Sequence, residues 1–167
     1  YNLAVCLHHG HGVSANPHRA LQFYKAAADK NHSGSLYNLA TLFHKGVHVQ
    51  KDEKQAVEYY KRASAQGHVK SQFTLGFCFY CGAKAGSEIC DAHCANGAGV
   101  ARDRTLAVHY WQKGADQGHA DSQYWLGVSY SSGSGVAQDS ALAAKYFELA
   151  TNQGYVSSKH RMVLFQD

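Results

Sequence analysis

The chain has 167 residues and is 45% hydrophobic, which is enough for one domain around a core and excludes an intrinsically disordered protein. Its net charge of +4 comes without clustered Lys and Arg, so we expect no nucleic-acid partner. No apolar run approaches the ~18–20 residues that span a membrane, and the start does not resemble a signal peptide. Because the chain begins with Tyr1 and not with Met, we expect it to be a piece of a longer protein.

The first predicted element, helix A, recurs along the chain with a period of 36 residues. Each copy carries Leu, then Ala or Gly, and a large side chain four positions after the Leu. The Leu positions are Leu3, Leu39, Leu75 and Leu126. Because the small residue after the Leu allows a neighbouring helix to approach closely, the pattern predicts packed helices. A fifth copy is predicted around Met162.

A short loop and a second helix, helix B, follow each of the first four copies. The predicted segments are 16–31, 52–67, 103–118 and 139–154. In each of them Ala, two aromatic residues and a small residue are spaced i, i+3, i+4 and i+7, which is one face of a helix. Each begins with Asn or Asp, which are strong N-caps, and ends with Asn or Gly, which accept a left-handed C-cap. We expect the four Ala side chains to be buried equivalently: Ala20, Ala56, Ala107 and Ala143.

Alternating helices of this kind predict an all-α fold, a right-handed αα-superhelix (an α-solenoid) of about four and a half helix pairs. Helices this short are stable only when they are stacked. Residues 1–167 form a single domain in this prediction, with a Cys-rich loop insertion at about 82–96, where the step between successive copies of helix A is longer.

The repeat resembles the SEL-1-like repeat (SLR) family, a relative of the tetratricopeptide repeats. Residues 115–127, Ala-Asp-Gln-Gly-His-Ala-Asp-Ser-Gln-Tyr-Trp-Leu-Gly, are almost a consensus stretch of that family, and the resemblance covers nearly the whole chain outside the insertion. It implies a superhelical adaptor that holds partners together in signalling, protein quality control, cell-envelope or host-interaction roles. One secreted bacterial branch carries a regularly spaced cysteine pair in each repeat. This chain does not, so nothing special to that branch is transferred.

From the repeat we predict a protein-interaction scaffold without catalysis, which binds a peptide or a helical surface of a partner along the concave face of helix A. The candidate contact positions differ in size and polarity from repeat to repeat. They are Asn38, Thr41, Lys45, Thr74, Phe77, Trp125, Val128 and Arg161. For Phe77 and Trp125 the alternative is packing between neighbouring helices. Trp125→Ala and Asn38→Ala should weaken binding and leave the helical content intact, and loss of the fold would identify these residues as core.

Two groups of histidines invite a chemical interpretation. One occupies the same repeat position directly after helix B, so we interpret its members as structural residues that pack at the turn. They are His32, His68 and His119. The other group lies near the start without Cys or carboxylates at ligand spacing, so metal binding and a solvated end of the chain are its alternatives. Its members are His8, His9, His11 and His18.

The insertion region contains the pattern C-x2-C-x8-C-x3-C, formed by Cys78, Cys81, Cys90 and Cys94. Four thiolates at these spacings could hold a structural zinc ion, and we expect no other cofactor. A disulfide or thiols in an ordinary loop are the alternatives, since Cys78 also fits a buried position of helix A. The total of five cysteines is odd and favours a reducing compartment such as the cytoplasm.

Two rival functions stay open. Cys90 or Cys94 with His93 could form the nucleophile and base of a hydrolase, although no third orienting group is evident. Alternatively, the repeats are a non-catalytic regulatory or targeting module of a larger enzyme or membrane-associated protein. The chain ends on an apolar run from Met162 to Phe165, which predicts further repeats or self-association through exposed terminal helices.

Overall fold

A computed structural model describes residues 1–82 and 99–155, and these residues form eight α-helices and no β-strand. The helices are α1 (Asn2–His9), α2 (Pro17–Asp29), α3 (Ser33–Lys45), α4 (Glu53–Ala65), α5 (Val69–Cys81), α6 (Arg104–Asp116), α7 (Ala120–Ser132) and α8 (Ser140–Asn152). The odd-numbered helices are the predicted copies of helix A, and the even-numbered helices are the copies of helix B. The predicted all-α solenoid of alternating helices is confirmed. The predicted fifth copy around Met162 lies outside the described residues.

The chain divides into two compact units, Tyr1–Ser71 and Gln72–Asp167. The first contains the pairs α1–α2 and α3–α4, and the second contains most of α5 with α6 and the pair α7–α8. Within the first unit α2 also packs on α3, and within the second α6 also packs on α7. The organisation of residues 1–167 as a single domain stays a prediction.

Local capping fixes where each helix B begins and ends. Asn16 and Asp52 each accept a hydrogen bond from the backbone N–H three residues later, at 3.1 and 2.9 Å, and the third and fourth copies repeat this contact. Pro17 occupies the first helical position, where its missing N–H costs nothing. Each helix B is followed by a residue with positive φ: Asn31, Gly67, Gly118 and Gly154. Both sets of predicted caps are therefore confirmed.

The core follows the repeat columns. Ala20, Ala56, Ala107 and Ala143 are all fully buried, as the period predicts. The aromatic residue four positions later is also buried in every copy: Tyr24, Tyr60, Trp111 and Phe147. Gly76 shows why its column in helix A holds small residues, because a Cβ atom at that position would overlap the indole of Trp111.

The loop that carries the insertion is closed at its two ends by the same backbone hydrogen bond as a loop without an insertion. The backbone N–H of Asp103 donates to the carbonyl of Phe79 at 2.8 Å, and the equivalent bond of the preceding repeat joins Asp52 to Phe43 at 3.0 Å. Gly82 has a φ of 68°, which matches its counterpart in that repeat. Since both ends of the extra segment are held as in a short loop, the helix pair tolerates it. Residues 83–98, which include most of the predicted insertion, lie outside the described residues.

Candidate partner-binding surface

Three predicted contact residues lie on one side of α3 and line a cavity of about 280 Å³ in the first unit. They are Asn38, Thr41 and Lys45, at the i, i+3, i+7 spacing that places residues on one face of a helix. His8 and His9, from the last turn of α1, line the same cavity. The other lining residues are Tyr24, Leu42 and Val47. The structure therefore brings these three predicted residues together and adds two histidines to them.

Asn38 and Thr41 also anchor buried tyrosines of helix B. The Asn38 side chain hydrogen-bonds to Tyr24. Thr41 Oγ1 donates to the carbonyl of Tyr37 at 3.0 Å and lies 3.2 Å from the hydroxyl of Tyr60. Burial raises the pKa of Tyr24, and the hydrogen bond from Asn38 acts in the opposite direction. Part of the hydrogen-bonding capacity of both residues thus already serves the fold.

Histidine side chains surround the α1 end of this cavity. The ring of His8 lies 4.6 Å from that of His9 and 6.3 Å from that of His48, and His9 lies 5.4 Å from His11. Burial lowers the pKa of His8, and positive charge on His9 and His48 lowers it further. Across residues 1–82 and 99–155 no group of three or more His, Cys, Asp or Glu side chains is arranged to hold a metal ion. The histidines at this cavity therefore do not form a metal site in the structure.

A second cavity, of about 530 Å³, shares Asn38 with the first and lies at the beginnings of α3 and α5. Its other lining residues are Tyr1, Ser33, Gly34, Tyr37, Gln66, Gly67, His68, Val69 and Lys70. The rings of Tyr37 and His68 are 4.8 Å apart and form part of this lining. Because both cavities are lined by Asn38, they are neighbours along α3.

The remaining predicted contact residues belong to the second unit, where two of them are core residues. Phe77 is fully buried and Trp125 is only 9% exposed. Their rings meet edge to face at 4.9 Å, and Trp111 stacks on Trp125 at 5.6 Å. Both residues therefore pack between neighbouring helices, as the alternative interpretation predicts, and do not lie on a contact surface. Thr74 and Val128 are half-buried, and Arg161 lies outside the described residues.

The periodic histidines are N-caps of helix A, which agrees with a structural role but is more specific than packing at a turn. In each case Nδ1 accepts the backbone N–H of a serine three residues later, at 3.2–3.3 Å. The pairs are His32–Ser35, His68–Ser71 and His119–Ser122. The recurring His-x-x-Ser spacing was the signal in the sequence that could have revealed these caps.

The cysteines are described only in part. Cys78 is a buried thiol of α5, and Cys81 is disulfide-bonded. Cys90 and Cys94 lie outside the described residues, as does His93, so the four-cysteine zinc site and the Cys–His dyad stay predictions. A disulfide sulfur has no thiolate to offer a metal, so zinc ligation and disulfide bonding exclude each other at Cys81.

Comparison with known proteins agrees with this architecture. The family model of the Sel1 repeat matches residues 1–32, 33–68, 90–119 and 120–155, which together are most of the chain. The chain belongs to the Sel1 repeat family. Sel1 repeats are generally protein–protein interaction modules, and proteins built from them are typically non-catalytic scaffolds.

Solved Sel1 repeat structures superpose on nearly the whole chain. The c5321 protective antigen of uropathogenic Escherichia coli, which displays an SLR fold, is 27% identical with a TM-score of 0.83, over 97% of this chain and 32% of that one. A Sel1 repeat protein from Oxalobacter formigenes is 26% identical with a TM-score of 0.76, over 97% of this chain and 59% of that one. Cysteine-rich protein B of Helicobacter pylori shares the fold, at 22% identity and a TM-score of 0.59 over 85% of this chain and 91% of that one.

The chain thus spans about a third of the E. coli antigen and 59% of the Oxalobacter protein. No functionally curated protein matches it. Among the described helices, none is long and apolar enough to cross a membrane.

Proposed function

We propose that these Sel1 repeats act as a scaffold without catalytic activity, which binds an extended peptide segment or a helix of a partner protein along α1 and α3. The observation that carries the proposal is the pair of neighbouring cavities that meet at Asn38. Asn38, Thr41 and Lys45 line them at positions where the residue type changes along the chain, whereas the packing columns stay constant. Variable residues on a regular framework suit the recognition of one partner.

The chemistry of the lining favours a peptide over a small molecule. Small-molecule pockets are mostly apolar, with few polar groups. Here an amide, a hydroxyl, an ammonium group and imidazoles line the first cavity, from Asn38, Thr41, Lys45, His8 and His9. An extended peptide presents backbone donors and acceptors along its length, which such side chains can satisfy. Thr74 and Val128 are the corresponding candidates in the second unit.

The test is selection from a displayed peptide library, followed by measurement of the Kd of each selected peptide by fluorescence polarisation. We expect Lys45→Ala and Asn38→Ala to weaken binding by about fivefold or more, the loss typical of an energetically important contact. Lys25→Ala, at an exposed position of α2, is the matched control and should not change the Kd. Selected peptides that bind all three variants like the wild type would contradict the proposal.

Self-association through terminal helices stays a separate prediction. Sedimentation velocity over a wide concentration range tests it, and a monomer at every concentration would contradict it.

A further inference from the structure

The cavity lined by α1 and α3 is basic. Its lining contains two histidines and a lysine, and no Asp or Glu: His8, His9 and Lys45. No described carboxylate pairs with Lys45. Glu53, on α4, is instead held by His44 at 2.6 Å and by Lys51 at 2.8 Å. Positive charge is thus available at the cavity without a counter-charge from its own lining.

His8 is the half-buried member of this group. Its described neighbours from each adjoining element are basic or neutral. They are His9 on α1, Tyr24 on α2 and His48 on the loop after α3, and Lys45 on α3 lines the same cavity. His11 in turn stacks on His9. Burial and the charges of His9 and His48 lower the pKa of His8, and a counter-charge beside its ring would act in the opposite direction.

We propose that this cavity binds an acidic side chain, Asp or Glu, of an extended partner segment. The inference rests on the scaffold function proposed above and specifies the chemistry of its partner. Lys45 and the two histidines supply charge-assisted hydrogen bonds to the carboxylate. Asn38, which lines both cavities, is placed to bind the peptide groups next to it.

Such a site couples binding to protonation. A bound carboxylate raises the pKa of His8 above its lowered value in the unliganded protein, so the complex takes up a proton. Binding therefore strengthens as the pH falls through the window between these two pKa values. Below the lower one the unliganded protein is protonated as well, and the gain ends. Added salt weakens the interaction because the cavity is open to solvent.

The test uses two fluorescein-labelled peptides, one alternating Glu with Ser and the other alternating Gln with Ser. Each is titrated with the whole chain at about pH 5.8 and about pH 7.8, on either side of the ordinary histidine pKa. We expect the Glu peptide to bind at least about threefold more tightly than the Gln peptide at the lower pH, and its Kd to rise at least about threefold at the higher pH.

Two variants and two controls test which residues cause the pH dependence and the binding of the Glu peptide. His8→Gln should remove most of the pH dependence, and Lys45→Gln should weaken binding of the Glu peptide at both pH values. The controls His18→Gln and Lys25→Gln remove the same residue types from exposed positions of α2 and should change neither result. If thermal unfolding shows that His8→Gln is destabilised, the affinity of Lys45→Gln for the Glu peptide decides the test. Lys45 is exposed, so its substitution should not disturb the fold.

Several results would overturn the inference: equal affinity for the two peptides, no binding of the Glu peptide, or an unchanged pH dependence in the double variant His8→Gln/His9→Gln. Its failure is distinguishable from failure of the scaffold function. Library-selected peptides that depend on Asn38 and Lys45 but carry no Asp or Glu would uphold the scaffold and reject the acidic partner. Selected peptides that depend on neither residue would reject both.

Discussion

Nδ1 of His68 accepts the backbone N–H of Ser71 at 3.3 Å, and Oγ of Ser71 lies 3.0 Å from the same nitrogen. This contact caps α5 and requires that Nδ1 carry no proton, so the ring is neutral with its proton on Nε2. Protonation would replace the acceptor with a donor and place a positive charge at a helix N-terminus, where the helix dipole disfavours it. His32 and His119 make the same contact at α3 and α7.

We expect the free energy of unfolding to decrease as the pH falls below the ordinary histidine value of 6.5. Burial lowers the pKa of folded His68, and the charges of Lys70 and His32 lower it further. Between the ordinary and the lowered pKa the unfolded chain binds more protons than the folded chain. The stability of the neutral cap is therefore complete above this window and is lost as the pH falls through it. Urea denaturation at a series of pH values measures the change.

The variant His68→Asn isolates the contribution of this cap, because Asn is a good N-cap that does not titrate. It should stay within about 0.5 kcal/mol of the wild type at neutral pH and lose part of the acid sensitivity. His68→Ala, which has no cap, should lose about 1 kcal/mol at neutral pH. His109→Asn, at an exposed position of α6, is the control. An acid sensitivity that is the same in His68→Asn and in the wild type would contradict the role of the cap.

The helices, their caps and the packing columns could be predicted because each depends on residues within one turn or one loop. Asp52 caps α4 whatever surrounds that helix, and Ala56 recurs with the period because it faces the core in every repeat. The histidine caps were missed for a related reason. Ser, Thr, Asp and Asn are the usual N-caps, so a recurring His is more readily interpreted as a packing residue.

Gly76→Ala should destabilise the second unit. A Cβ atom at this position would overlap the indole of Trp111, which is fully buried and cannot move aside without disturbing its neighbours. Overpacking of this kind typically costs about 1–3 kcal/mol, which outweighs the gain of up to about 1 kcal/mol from replacing a helical Gly with Ala. Chemical denaturation monitored by circular dichroism measures the difference.

Gly34→Ala is the matched comparison for this prediction. Gly34 lies in the first turn of α3, where the nearest atom to an added Cβ belongs to the half-exposed ring of Tyr1, at 3.0 Å. That side chain can yield, so the substitution should be neutral or slightly stabilising. Equal effects of the two substitutions would show that the close approach of Trp111 does not determine the small residue at position 76.

The binding surface was only partly predictable, because spacing identifies one face of a helix but not what covers that face. Thr41 and Phe77 occupy the same repeat position on α3 and α5, yet Thr41 is only half-buried and lines a cavity, whereas Phe77 is fully buried. The difference arises because Trp111 and Trp125 pack against Phe77. A contact of this kind joins residues far apart in the chain, so no pattern local to α5 reveals it.

Trp125→Ala should therefore reduce stability strongly. Its ring packs against Phe77 and Trp111 with little exposure, and replacing a buried Trp with Ala costs about 3–5 kcal/mol. Lys45→Ala, at an exposed position, should stay within about 0.5 kcal/mol of the wild type. Thermal and urea unfolding of both variants measure these effects. If Trp125→Ala were as stable as the wild type, Trp125 would not be a core residue and would again be a candidate for contact with a partner.

Cys81, the last residue of α5, should resist alkylation until the protein is reduced, because it is disulfide-bonded. Protein purified without reductant or added zinc should likewise contain almost no zinc, since a disulfide sulfur does not ligate the metal. Mass spectrometry of iodoacetamide-treated peptides, before and after reduction, measures the first effect, and elemental analysis measures the second. Half-buried Cys6, a thiol, is the internal control for labelling without reductant. Modification of Cys81 under these conditions would contradict the disulfide, and about one zinc ion per chain would support the four-cysteine site in its place.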